Sequence, residues 1–272
     1  MRCYANSKTF TTRAAHSRAP GALHRFPLSR LIGVLVFYHC LVVGPGNDAW
    51  AGAALQISPV LIDLQAPASA ATIDIANQAP QPAQIQVRVF RWKQADGHET
   101  LTPTEDVVAS PPFATIASGT TLSVRVIRAS KAPIAAEEAY RVVVDQLPET
   151  NRSGHVLVAM LLRQVLPVFF GGPEKSAPDV SWNIRRASNG VALFAHNNGD
   201  RRLRVAHVVL TDSGRHSVTL SGGLLGYVLG HSDMSWPIPA KSRGLALGAA
   251  VTIHVDSDMG AVSAKALISG RE

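Results

Sequence analysis

Five histidines, His196, His207, His216, His231 and His254, are scattered through the C-terminal part of the chain. None stands four residues from another, and no C-x-x-C accompanies them, so neither a helical zinc pair nor a structural zinc site is spelled out. Asp256 and Asp258 lie two apart in a turn-like stretch, where paired carboxylates are solvated rather than catalytic. Gly222-Gly223-Leu224-Leu225-Gly226 lacks the lysine and helix start of a phosphate loop, and no G-x-S-x-G elbow occurs. Enzymatic chemistry is therefore not expected, and neither a metal nor another cofactor.

The residues that could do something are apolar ones in an unusual arrangement. His155 to Pro173, HVLVAMLLRQVLPVFFGGP, reads as one long strand that is apolar on both faces. Val156, Val158, Met160, Leu162 and Leu166 share one face, and Leu157, Ala159, Leu161 and Val165 the other. One face fills the core of its own domain. A second apolar face needs cover, because a bare one at a sheet edge invites aggregation. Cover comes from a neighbouring element of the same chain or from a binding partner, and the strand is the first candidate for a protein-binding site.

The elements that position this strand begin after a leader. Arg2, Lys8, Arg13, Arg18, Arg25 and Arg30 precede an apolar run from Leu31 to Val43, and Ala49-Trp50-Ala51 follows. This is the pattern of a secretory signal peptide over residues 1–51. The run is shorter than the ~20 residues of a spanning helix, although an uncleaved anchor is the alternative reading. The leader holds six of the 26 basic residues and one of the 19 acidic ones, which leaves 20 against 18 in the remainder, a net of +2. The basic pI belongs mostly to the leader and gives no argument for nucleic-acid binding. Cys3 and Cys40 also fall in the leader, so the mature chain has no disulfide and must rest on its core.

The chain from Gly52 on shows short alternating runs separated by turn residues and no useful helical period, which predicts an all-β protein of two immunoglobulin-like sandwiches in tandem. The first, 52–172, contains strands over Leu55–Asp63, Thr72–Ala76, Gln84–Phe90, Thr121–Arg128 and Tyr140–Asp145 and ends in the long strand. Asn77 to Pro82 and Ala109 to Pro112 read as loops. The second, 173–272, contains Trp182–Arg185, Val191–Ala195, Leu203–Leu210, His216–Leu220, Leu224–Leu229, Ala250–Val255 and Ala261–Leu267, with a hairpin-type turn at Asn197 to Asp200.

An ordered series of these stretches resembles the periplasmic pilus-assembly chaperones of the PapD-like group, in their archaic, spore-coat-U-associated branch. The series is Ile57-Ser58-Pro59-Val60, Ile85 to Trp92, Val124 to Arg128, Glu138 to Arg141, Asp145 to Pro148, Leu166 to Phe169, Trp182, Asn197-Asn198-Gly199, Gly226 to Leu229 and Trp236-Pro237. The resemblance implies a periplasmic protein that lends the last strand of its first domain to a pilus subunit lacking its own and delivers that subunit to an outer-membrane usher. It also implies spore-coat-U-like subunits as partners, Val158, Met160 and Leu162 as the inserted side chains, and Leu157, Ala159 and Leu161 as home core. Self-capping as a homodimer through the same strand is a further expectation. The other reading is a secreted two-domain structural or adhesive protein.

The chain departs from the family at one point. Typical members hold the C-terminal carboxylate of the bound pilin with two basic residues, and the matching positions here are Pro59 and Pro167. Since Gln146 to His155 joins two antiparallel strands, Arg141 should lie opposite the later part of the long strand, near Arg163 and the cleft. Arg141 is the first candidate for a substitute anchor and Arg163 the second, because a guanidinium grips a carboxylate with two parallel hydrogen bonds. Arg128 and Lys131 are further candidates with a plainer surface setting.

Overall fold

The computed structural model describes residues 55–148, 161–172, 176–187, 190–239 and 250–269. No helix occurs among them. The first half forms β1 (Leu55–Ser58), β2 (Ile62–Gln65), β3 (Ala70–Asn77), β4 (Ala83–Ala95), β5 (His98–Pro103), β6 (Val107–Ser110), β7 (Phe113–Ile116), β8 (Thr121–Arg128), β9 (Glu138–Gln146) and β10 (Arg163–Gly171). One sheet has the order β1-β3-β8-β6 and the other β2-β10-β9-β4-β5, with β7 also beside β4. The run expected as a single strand over Leu55–Asp63 is two strands in two sheets. Pro59, which has no N–H for a ladder, sits where the chain leaves one sheet for the other. Ala109 and Ser110, expected in a loop, end β6 and pair with β8.

Alternation explains the core between these sheets. Ile73, Ile75, Val124 and Val126 from one sheet meet Ile85, Val87, Tyr140, Val142, Leu166, Val168 and Phe170 from the other, all nearly inaccessible. Tyr140 stands edge-on to Phe170 and takes part in a polar chain at the rim. Arg91 donates to its hydroxyl at 2.7 Å, and the hydroxyl donates to Glu138 at 3.0 Å. Arg128 grips Glu138 through two bonds of 2.8 Å. Arg128 is thus spent on the fold. Its hydrogen bond is the main reason the Glu138 carboxyl lies below its ordinary range.

The second half forms β11 (Val180–Ala187), β12 (Gly190–Asn197), β13 (Leu203–Asp212), β14 (Ser217–Thr219), β15 (Leu224–Val228), β16 (Ser232–Ile238), β17 (Ala250–Ser257) and β18 (Gly260–Ser269). They follow the order β14-β13-β17-β18-β11-β12-β16, with β15 beside β13. Ile184, Leu193, Val205, Val208, Leu210, Val228 and Ile253 fill its core. The turn at Asn197 to Asp200 does not close a hairpin: β12 pairs with β11 and β16, while β13 belongs to the other flank. The buried Asn197 side chain organises this crossover. It accepts from the N–H of Asp179 and of Gly199, both at 2.9 Å, and donates to the carbonyls of Arg201 and Val228.

The described residues form one compact unit, and a third apolar cluster joins its halves. Trp92 and Phe169 from the first sandwich pack with Tyr227 and Leu229 from the second, and the Tyr227 ring lies 5.8 Å from Trp92 and 5.5 Å from Phe169. Gln94 extends the joint by donating to Tyr227 O and accepting from Leu229 N–H, both at 2.9 Å. Arg202, 2 % exposed, lies 3.7 Å above the Phe169 ring, pairs with Glu137 and donates to Asp63 at 2.7 Å. Burial pushes the Glu137 carboxyl up, against the pull of Arg202. Gly97, at φ +79°, closes the joint beyond this cluster, where an added Cβ would meet Ser235 Oγ at 2.5 Å.

Candidate functional site

β10 is the strand on which the sequence placed its surplus. The structure begins it at Arg163, with Leu161 and Leu162 just before it outside any strand; residues 155–160, with Val158 and Met160, lie outside the described residues. Its inward face is the one bearing Leu166, Val168 and Phe170. Leu161, expected in the home core, is instead 50 % exposed, and Val165 of the same face is 44 % exposed; Leu162, which shares the parity of the buried Leu166, is itself 39 % exposed. Two adjacent aromatics fix this outcome: Phe170 enters the first core while Phe169 points the other way and is covered by Tyr227 and Arg202 of the second sandwich. Part of the surplus apolar face is therefore satisfied within the chain, at the C-terminal end of β10.

The N-terminal end of β10 differs. It runs antiparallel to β9 from Arg163 to Phe170, but its pairing with β2 covers only Val168 to Gly171. Among the described residues, Arg163 to Pro167 is thus paired on one edge alone. Leu162, 39 % exposed, accepts from Gln146 N–H at 2.9 Å. Hydrogen-bonded and non-bonded pairs alternate in an antiparallel ladder, so even-numbered residues turn their main chain to β9. Arg163 and Val165 turn theirs to the open edge. Pro167 falls on the open side too and offers a carbonyl without an N–H. It costs the sheet nothing there and ends the usable edge.

The face of β4, β9 and β10 away from the first core carries the candidate cations. Arg141 lies across from Pro167, not near Arg163 as expected, because the register pairs Arg163 with Asp145 four residues further along β9. The Arg141 guanidinium stacks 3.6 Å above the Trp92 ring and lies 3.6 Å from Glu99. Burial lowers its pKa from the ordinary guanidinium value, and Glu99 opposes that shift. The group is a held, largely desolvated cation at the joint between the sandwiches. Arg163 is more exposed, and its guanidinium donates to Asp145, which also accepts from Arg88 at 2.6 Å. Burial pushes the Asp145 carboxyl up, but the bonds from Arg163 and Arg88 outweigh it and hold it below the usual range. Of the five expected residues the structure thus describes three. It gives Arg141 a buried platform beside the joint and Arg163 a tether, and it sets Leu162 at the start of the open edge.

Trp92, Asp145 and Arg88 lie in stretches that carry the family resemblance, but the sequence pattern assigned them no part in the site. Cross-strand register, which no short motif encodes, is what brings them to the candidate cations. The histidines gather no cluster of three or more metal-binding groups among the described residues. His196, His216 and His231 each meet a single aspartate, with His196 held above its usual value by Asp233 and Asn198.

Residues 54–175 match the family model described as "Pili and flagellar-assembly chaperone, PapD N-terminal domain". Among solved structures, the chain is similar to the pre-assembly complex of the chaperone CsuC with the tip adhesion protein CsuE, from archaic chaperone–usher Csu pili of Acinetobacter baumannii. The identity is 23 %, with 81 % of this chain and 100 % of that one covered and a TM-score of 0.60. The SafA pilin–SafB chaperone complex of Salmonella enterica follows at 18 % identity, 79 % and 96 % coverage and a TM-score of 0.53. The Pseudomonas aeruginosa CupB2 chaperone matches at 14 % identity, 79 % and 100 % coverage and a TM-score of 0.50. At these identities the likeness establishes the two-domain β-sandwich fold. No curated protein matches the chain significantly in sequence.

Proposed function

Because residues 54–175 of this chain belong to the PapD N-terminal domain family of pili and flagellar-assembly chaperones, we propose that the protein holds unfinished pilus subunits in the periplasm by lending them the strand that ends in β10, and hands them to an outer-membrane usher. The observation that carries this reading is the half-paired strand. Arg163 and Val165 present main-chain groups to an open edge at the end where Leu161, Leu162 and Val165 are exposed. A pilin strand added there gains main-chain hydrogen bonds, while alternate side chains enter its groove. Two of the similar structures are of chaperones bound to a tip adhesion protein and to a pilin, which is the assembly proposed here. Spore-coat-U-like subunits are the partners favoured by the archaic branch. The signal peptide is assigned to 1–51, the strand-lending sandwich to 52–172 and the second sandwich to 173–272, with self-capping by homodimerisation when no pilin is bound.

Arg141 is proposed as the anchor of the pilin's C-terminal carboxylate. It lies opposite Pro167, one of the two positions where typical members carry the basic pair, and its stacking on Trp92 fixes the guanidinium in place. A charge-assisted pair of this kind contributes about 1.5–3 kcal/mol, a factor of about 10–150 in affinity. Arg141→Ala should weaken pilin binding by that factor, with Arg141→Lys in between because it keeps charge but loses the fork. Pilin binding at wild-type strength by a folded Arg141→Ala protein would remove Arg141 from the site.

A further inference from the structure

Among the described residues, β1 and the start of β10 each leave one edge unpaired at the mouth of the first sandwich, and a side chain bridges the two. Asn77 spends its main-chain groups on the β8 side, where its N–H donates to Thr120 O at 2.9 Å and its carbonyl accepts from Gly119 N–H at 2.8 Å. Leu55 is its cross-ladder partner, so Leu55 turns its own N–H and C=O away from β3, toward the outer edge of β1. Gln164 shares the inward-facing parity of Leu166, and its Nε2 donates to Leu55 O at 2.8 Å. An acceptor on an edge that no described strand covers is thus occupied by an amide from the neighbouring strand.

We infer that Gln164 is a latch, standing in for a main-chain N–H of the incoming pilin, and that the Leu55 carbonyl is a second main-chain contact for that pilin beside the edge of β10. This rests on the strand-lending reading. A carboxamide N–H and a peptide N–H are equivalent donors, so exchanging one for the other leaves Leu55 O satisfied, and the barrier is the breaking of the first bond before the second forms. The latch also keeps a β-edge acceptor occupied while no pilin is bound, which lowers the tendency of a free edge to pair with unwanted strands.

The test uses the mature protein with Gln164→Leu and Gln164→Glu. Leu removes the donor, and Glu replaces it with an oxygen that repels the carbonyl. In the free protein, exchange of the Gln56 and Ser58 amides, which face β3, should rise about tenfold in both variants as β1 frays, with β3–β8 amides unchanged. A denatured spore-coat-U-like pilin diluted onto the immobilised protein should then be captured about three- to tenfold faster by both variants than by wild type. Unchanged exchange refutes the bridge. Raised exchange with unchanged capture refutes the latch. Faster capture by Leu alone also refutes it, since added apolar surface explains that. Failure of wild type and variants alike to capture the pilin, with exchange raised, overturns the strand-lending reading and the latch with it.

Discussion

Replacing Val158, Met160 and Leu162 together by serine should abolish the holding of pilus subunits while leaving the protein folded. Each of these side chains contributes about 1.5–3 kcal/mol when fully buried in a pilin groove, less the cost of ordering. Three losses of that size exceed the ~8 kcal/mol of a micromolar complex at the upper end of the range, and approach it at the middle. The home core should be spared, because Leu162 is 39 % exposed and the first sandwich is closed by Leu166, Val168 and Phe170 further along β10. Co-purification of the pilin from periplasm is the readout, with a thermal melt to show that the triple variant is folded. Co-purification at the wild-type level would sink the assignment of these three residues.

Trp92→Ala should be the most damaging single change to the fold. Trp92 is 2 % exposed and holds the joint together, in contact with Phe169 of its own sandwich and Tyr227 of the other. Truncating a buried tryptophan costs about 3–5 kcal/mol through lost burial and the cavity left behind, a large part of the ~5–15 kcal/mol that stabilises an ordinary protein. It also removes the platform under Arg141, so pilin affinity should fall as for Arg141→Ala even in the fraction that folds. Trp92→Phe should cost less: it keeps part of the apolar volume and removes a buried indole N–H that has no hydrogen-bond partner among the described residues. Denaturant unfolding checks both, and splitting into two transitions would show that the sandwiches have come apart. A Trp92→Ala protein that unfolds like wild type would refute the role of the joint.

The fold is most legible in the sequence where one face of a strand is buried and the other wet. Thr121–Arg128 has the same two ends in the sequence pattern and in the structure, since Val124 and Val126 alternate with Ser123 and Arg125. β5 leaves no such trace because all six of its residues are exposed, and β16 is hidden by Pro237 inside it. The long run before Pro173 is legible as surplus hydrophobicity but not in its allocation. Pattern cannot distinguish an apolar face left exposed from one covered by another part of the same chain, and β10 has both kinds: Phe169 is covered by the second sandwich, while Val165 is exposed. Arg141 stands out through the absence of a basic residue at Pro167. The displacement of Arg141 from Arg163 follows from register, which depends on how β9 and β10 are joined.

In the strand-lending reading, a pilin strand pairs with the open edge of β10. Amide exchange at Val165, whose N–H faces that edge, tests it most directly. In the complex with a spore-coat-U-like pilin, the Val165 amide should slow by at least about a hundredfold relative to the free protein, as expected for an N–H sealed in a ladder. The Val144 amide, already paired with β10, should change little. A Val165 amide that exchanges equally fast in the free protein and in the complex would mean that the pilin binds elsewhere, and strand lending by β10 would be ruled out.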